Sequence, residues 1–313
     1  MTVHDANDAL CELVSVRDWL RYGTSRFGAS RLVFGHGTST ALDEAAFLIL
    51  SVLDLPIDQL EPWLDCRLTR AERSQIASLF EARIATRKPA AYLVNRAFIR
   101  GHGFYVDERV IVPRSYIGEL LDLELASVVP DPEAVTSVLD LCTGSGCLAI
   151  LAAVTYPNAM VDGVDLSPDA LAVAARNVAD YGLENRITLQ QSDLFSALGS
   201  RRYDLILSNP PYVSAEAVRE FPPEFKAEPV MAHAGGDDGL DIVRRILADA
   251  PRHLERDGVL VVEVGTGLDV LEEEYPNLPF LWLDTEDSSG EVFALTASEL
   301  AAGAQTEGRP RRR

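Results

Sequence analysis

The sequence predicts an α/β fold in which a seven-stranded, mostly parallel sheet covered by helices follows a small helical domain. Three observations predict it. Helical periodicity of apolar residues runs through roughly the first 100 positions. A stretch rich in glycine, aromatic and β-branched residues comes next. Beyond it, short apolar runs alternate with helical segments, and a glycine-bearing turn follows the first run directly. With 313 residues, 47% of them hydrophobic, the chain can build one large or two unequal domains.

In the amino-terminal part, Leu42, Ala45, Ala46, Ile49, Leu50 and Leu53 recur at the spacing of one helix face, with Thr40 as the cap. A second helix starts at Thr69-Arg-Ala-Glu72, where hydroxyl and carboxylate satisfy each other's backbone donors, and Ile76, Leu79, Phe80 and Ile84 form its apolar face. These helices predict a bundle over residues 1–97. Residues 98–113 read as a β-hairpin linker, with short strands and a turn within the stretch from Phe104 to Pro113. The second domain is expected over 114–300, with parallel strands near 137–141, 159–164, 187–190, 203–207 and 259–264. Residues 279–283 and 291–295 add an antiparallel pair joined near Asp287-Ser-Ser-Gly290. From Ala301 apolar periodicity is absent, so 301–313, closing in Arg309-Pro-Arg-Arg-Arg313, is expected to be a disordered tail.

Composition narrows the function classes. Forty-eight acidic against 28 basic residues leave a net charge of −20, unfavourable for gripping a phosphate backbone and better suited to a basic partner, although acidity also simply keeps proteins soluble. Direct nucleic-acid specificity is therefore not expected. No run approaches the roughly 18 apolar residues of a membrane span, and the start lacks a signal-peptide pattern, so a cytoplasmic protein is expected. Cys11, Cys66, Cys142 and Cys147 form no CxxC pair and the five histidines no ligand spacing, which predicts neither disulfides nor a metal.

The run Val138-Leu-Asp-Leu-Cys-Thr-Gly-Ser-Gly-Cys147 places a turn between a strand and an apolar helix, where a nucleotide binds. Gly144 and Gly146 permit conformations and close approaches that side chains obstruct. About twenty residues on, Asp165 ends the next strand, placed to accept hydrogen bonds from both ribose hydroxyls. After the third strand, Asp193 is placed to receive an adenine amino group and Leu194 to cover the ring. Each Asp alone reads as a cap or loop residue; their succession at three strand ends points to a nucleoside. The turn lacks the third glycine of a dinucleotide fingerprint, which favours S-adenosylmethionine over a nicotinamide cofactor.

The fourth strand runs into Asn209-Pro210-Pro211-Tyr212. An amide nitrogen is a poor nucleophile because its lone pair is delocalised, so a catalyst must hold the NH₂ group in line with the methyl donor. The Asn209 side-chain oxygen and the Pro210 carbonyl can accept its two hydrogens. Pro210 and Pro211 stiffen the loop, and Tyr212 can stack on a planar group.

Asn209-Pro-Pro-Tyr212 after Asp140-Leu-Cys-Thr-Gly-Ser-Gly146 resembles amino methyltransferases, and from Phe34 onward the chain resembles the HemK/Prm family of protein-glutamine methyltransferases. The resemblance implies a Rossmann-like class I methyltransferase domain, with Cys142, Thr143, Gly144, Ser145, Gly146, Asp165, Asp193, Leu194 and Asn209 on the cofactor and Asn209 to Tyr212 on the glutamine. Phe34-Gly-His-Gly-Thr38, Pro89-Ala-Ala-Tyr-Leu93, Gly101-His102, Gly118-Glu-Leu120, Glu228-Pro229 and Gly236-Asp-Asp-Gly-Leu-Asp241 carry it further. Within the family they point to the branch that modifies large-subunit ribosomal protein L-three rather than release factors. Tyr116 stands where the pattern has proline, and the stretch Phe34 to Ala41 lacks an expected Asp-Asn. The alternatives are a release-factor enzyme, a nucleic-acid methyltransferase acting on an exocyclic amine of a flipped base, and a non-catalytic scaffold. The helical domain is expected to recognise the protein substrate.

Overall fold

Helix boundaries in the amino-terminal part follow its capping residues. The structure, a computed structural model, describes residues 3–286 and 288–307. It divides into one unit of Met1–Glu108 with Phe221–Glu228 and a second of Arg109–Glu220 with Pro229–Arg313. The first unit holds α1 (Val3–Glu12), α2 (Val16–Ala29), α3 (Ala41–Leu53), α4 (Arg70–Thr86) and α5 (Ala90–Val94), then β1 (Ala97–Ile99) and β2 (His102–Phe104). Thr40 caps α3 through the Asp43 amide, and both halves of the Thr69/Glu72 box form at α4. Trp19, Phe27, Leu48, Ile49, Ile76 and Phe80 fill the core between α2, α3 and α4.

The hairpin sits earlier than the sequence suggests. β1 and β2 pair antiparallel across Arg100-Gly101, both at positive φ (50° and 79°), as a two-residue turn matched to strand twist requires. Residues 105–113 are not strand, although Val106, Val110 and Val112 are buried at alternate positions broken by the exposed Glu108. Their β-branched composition reflects burial, not a ladder.

Phe221–Glu228 belongs to the first unit because its carboxylates are buried there. Glu224 accepts the Val33 amide at 3.0 Å and pairs with Arg87 at 2.8 Å, with the Arg83 guanidinium 3.8 Å away. Arg83 also donates to Glu44 at 2.7 Å and to the Val33 carbonyl at 3.0 Å. Thr38 donates to Glu44 at 3.2 Å, and His36 is buried beside Glu228 (3.5 Å) and the Phe225 ring. The Phe34–Thr38 loop is thus shaped by buried charges of its own unit.

The second unit contains α6 (Tyr116–Asp122), β3 (Ser137–Leu141), α7 (Cys147–Thr155), β4 (Met160–Asp165), α8 (Pro168–Asp180), β5 (Ile187–Gln191), β6 (Tyr203–Ser208), α9 (Ala215–Arg219), α10 (Asp241–Asp249), β7 (Leu254–Glu263), α11 (Leu268–Glu274), β8 (Leu281–Leu283), β9 (Val292–Thr296) and α12 (Ala297–Glu307). The sheet order is β5-β4-β3-β6-β7-β9-β8; β9 runs antiparallel to both β7 and β8, and the other neighbours are parallel. The seven strands and the final antiparallel pair match the expectation. Strand order reverses between β3 and β6, and a ligand crevice forms outside the carboxyl ends at such a point. α12 continues to Glu307, past the expected start of the tail at 301: Leu300 is buried and Gly303 lies against Leu278. Asp287 and the arginine-rich end lie outside the described residues. Among the described residues no helix is long and apolar enough to cross a membrane.

Candidate active site

The turn after β3 is held from beneath. Asp140, 1% exposed, accepts the Thr143 hydroxyl at 2.5 Å and the Ala149 amide at 3.0 Å. Burial, reinforced by the Asp165 charge, pushes its carboxyl up to about 7. Cys142 sits at φ 61°, a conformation uncommon outside glycine, and Thr143 donates to the Val164 carbonyl, extending the β3–β4 ladder. Gly146 caps α7 at φ 80°, where an added Cβ would press on Ala174 at 3.1 Å; at Gly144 (φ 54°) the nearest atom to such a Cβ is 3.9 Å away. Gly146 therefore serves the close approach of α8, while Gly144 leaves room toward the crevice. Burial raises both thiols, Cys147 up to about 12 and Cys142 further, which disfavours the thiolate form a nucleophile needs.

A cavity of about 380 Å³ opens beside this turn. Its wall includes Cys142, Gly144, Asp165, Ser192, Asp193, Leu194, Asn209 and Pro211, with Val164, Ala170, Met231 and Ile242 among its apolar parts. Asp165 accepts the Gly144 amide at 2.9 Å and the Ser167 amide at 2.8 Å, bracing the turn against α8. Burial raises its carboxyl, and those amides pull the other way. Asp193 pairs at 2.8 Å with Arg245 of α10 on the half-exposed side. Leu194, at φ 49°, is buried in the wall.

Thr143, Ser145 and Gly146 do not line the cavity. Thr143 is spent on Asp140, and the Ser145 carbonyl accepts the buried Asn177 amide at 2.8 Å. Asp140 and Asn177, absent from the sequence-derived site, thus hold the turn that the site needs. Their signal is faint, since a buried strand Asp and a helix Asn read as a cap or a surface residue.

Beyond β6, the Asn209 Nδ2 donates to the Arg114 carbonyl at 2.9 Å, which turns Oδ1 away as an acceptor. Pro210 is buried, while Asn209 and Pro211 reach the cavity. The Tyr212 hydroxyl donates to Glu263 at 3.0 Å, and its ring lies against Gly265, where a Cβ would come within 2.9 Å. Residues 233–239 double back on the motif: Val213 donates to the His233 carbonyl and Gly235 to the Val213 carbonyl, both at 2.9 Å. A Cβ on Gly235 would sit 2.6 Å from the Pro211 carbonyl, and one on Gly239 2.3 Å from that of Tyr212. The glycines at these positions exist to admit backbone against backbone.

A doubly wound sheet with a crevice at its switch point and an Asn-Pro-Pro-Tyr loop on the rim defines a Rossmann-like class I methyltransferase. Residues 124–221 match the family model of the methyltransferase small domain. The hMettl16 catalytic domain in complex with MAT2A 3'UTR hairpin 6 shares this fold at TM-score 0.50 and 15% identity, over 72% of this chain and 81% of that one. Curated relatives extend over both units. The ribosomal protein uL3 glutamine methyltransferase of Bradyrhizobium diazoefficiens is 57% identical over 92% of each chain, and that of Bordetella pertussis is 53% identical over 92% of this chain and 97% of its own. The chain belongs to the ribosomal protein uL3 glutamine methyltransferase family. S-adenosylmethionine, the methyl donor of this class, fits the residues present: a carboxylate beside a turn with space at Gly144, and an apolar wall ending at Asn209.

Proposed function

We propose that the protein transfers a methyl group to the side-chain amide nitrogen of a glutamine in ribosomal protein uL3, the large-subunit protein L-three, and that it does so in the cytoplasm. The observation that carries this reading is the Arg114 carbonyl fixing Nδ2 of Asn209. With Nδ2 occupied, Oδ1 is left to accept from a planar NH₂ group, and the Pro210 carbonyl would serve as the second acceptor. A carboxamide offers two such hydrogens in one plane. S-adenosylmethionine supplies an activated methyl on a cationic sulfur. Asp165 would hold its ribose hydroxyls, with Asp193 and Leu194 at the base. The chain's contribution at the nitrogen is orientation: two acceptors hold the hydrogens and present the nitrogen lone pair to the cavity. Tyr212, fixed by its hydroxyl, walls the amide plane, and Pro210 and Pro211 keep the acceptors from relaxing. The acidic charge suits a partner that carries the basic residues needed to bind ribosomal RNA.

The test is incubation of the purified protein and isotopically labelled S-adenosylmethionine with ribosomal proteins from cells lacking the modification, followed by mass spectrometry. Label on a uL3 glutamine, abolished by Asn209→Ala, is the expected result. Label on a release factor or on RNA would move the reading to another substrate, and no label would leave a binding fold.

A further inference from the structure

We infer that Glu263 and the turn Arg114-Ser115-Tyr116 form a positioning device that locks both ends of the Asn209–Tyr212 loop, with the Tyr116 peptide N–H as one of its donors. The inference rests on the glutamine-methylation reading and adds to it residues that do not line the cavity.

Glu263 ends β7 and is 1% exposed. Its Oε2 accepts the Ser115 hydroxyl at 2.6 Å and the Tyr116 amide at 3.0 Å, and its Oε1 accepts the Tyr212 hydroxyl at 3.0 Å. The Ser115 oxygen itself accepts the Ile117 amide at 3.2 Å as it caps α6, so its own proton is directed to Glu263. One residue earlier, the Arg114 carbonyl holds Asn209. A three-residue turn therefore grips the first residue of the loop directly and the last through a buried carboxylate.

The chemistry requires a carboxylate. Three donors converge on two oxygens, and an ionised Glu accepts at both. A glutamine amide would place NH₂ either against Ser115 and Tyr116, which already donate, or against Tyr212, whose hydroxyl would reverse. Burial pushes Glu263 up to about 7, and the neighbouring Glu291 charge works in the same direction; the bonds from Ser115, Tyr212 and Tyr116 oppose both. Arg114 bears on Tyr212 with the opposite sign from Glu263. Tyr116 matters here because its peptide N–H is one of the three donors that meet on Glu263. A proline has no N–H, so one at this position would leave Glu263 with one donor fewer.

Two variants test this. Tyr116→Pro, read against Tyr116→Ala as a control that loses the same phenol but keeps the peptide N–H, deletes that one backbone donor at the first position of α6, which suits proline, after a Ser115 whose φ of −160° and ψ of 132° suit the residue before one. It should lower kcat, shift the acidic limb of the kcat profile to higher pH, and leave S-adenosylmethionine affinity unchanged. Glu263→Gln should lower kcat by about 100-fold, the scale of a misplaced reacting group, with unchanged S-adenosylmethionine affinity and an undiminished melting temperature. Loss of melting temperature without a kcat effect, or an unmoved acidic limb in Tyr116→Pro, would reduce these residues to ordinary structural contacts. If the unaltered protein methylates no glutamine, the functional reading fails, and a crystal structure of Glu263→Gln decides the positioning claim alone: a displaced Tyr212 supports it, an unmoved one overturns it.

Discussion

Gly239 is not among the residues that line the cavity, yet its φ of 90° and the 2.3 Å that would separate its Cβ from the Tyr212 carbonyl make it part of the loop's mould. Gly239→Ala should both strain the backbone and push Tyr212 aside. Methyl transfer is expected to fall by about 100-fold, with S-adenosylmethionine binding, measured by calorimetry, little changed. Buried carboxylates give a second residue-scale prediction. Asp140 and Glu263 are each raised to about 7 from ordinary values near 4. Between those limits the folded state binds protons that the unfolded chain releases, so these groups make stability fall as pH rises from about 4 to 7. That slope is opposite to the one ion-paired carboxylates produce. Asp140→Asn should flatten it, because Asn keeps an acceptor for Thr143 and Ala149 and has no charge to bury. Melting curves of both proteins from pH 5 to 8 read this directly, and parallel curves would refute it.

At the scale of elements, what was legible was what neighbours in sequence decide. Thr69 and Glu72 stand three apart and announce α4, and the apolar runs of β3 and β6 announce themselves by composition alone. The hairpin's place is not legible from composition, because β-branched residues at 105–113 signal burial as readily as pairing, whereas Arg100-Gly101 carries the actual turn. Phe221–Glu228 was illegible. Its proline-rich text reads as a surface loop, and the partners that bury Glu224, namely Val33, Arg83 and Arg87, are far away in the chain. Glu224→Gln would leave the two arginines with one fewer buried counter-charge. Breaking a buried pair from one side costs about 3–5 kcal/mol. The expected outcome is a denaturation midpoint lowered accordingly, with reduced transfer because Pro229 and Met231, which follow this segment directly, line the cavity. An unchanged midpoint would mean that the cluster contributes nothing net.

Over the whole molecule, the sequence spoke for the reaction more clearly than for the device behind it. Asn209 and Asp165 lie on the cavity because strand ends of a parallel sheet converge whatever the loops do. Glu263 was missed since a carboxylate at a strand end normally meets solvent, and only β7 lying beside β6 brings it to Tyr212. Net charge is the one global property that sequence states fully, and −20 is large enough to act at a distance. A substrate protein built to bind RNA phosphates carries the opposite sign, so association should be steered and screened. Raising salt from about 0.05 to 0.3 M shortens the Debye length to under half. We therefore expect kcat/KM for intact uL3 to fall steeply over that range while kcat and the affinity for S-adenosylmethionine, held in a largely apolar cavity, stay nearly constant. A short glutamine peptide without basic residues supplies the control, because it lacks the charge to be steered and its kcat/KM should ignore salt. Were the intact protein equally indifferent, the acidity would serve solubility alone, and recognition would have to reside in short-range contacts.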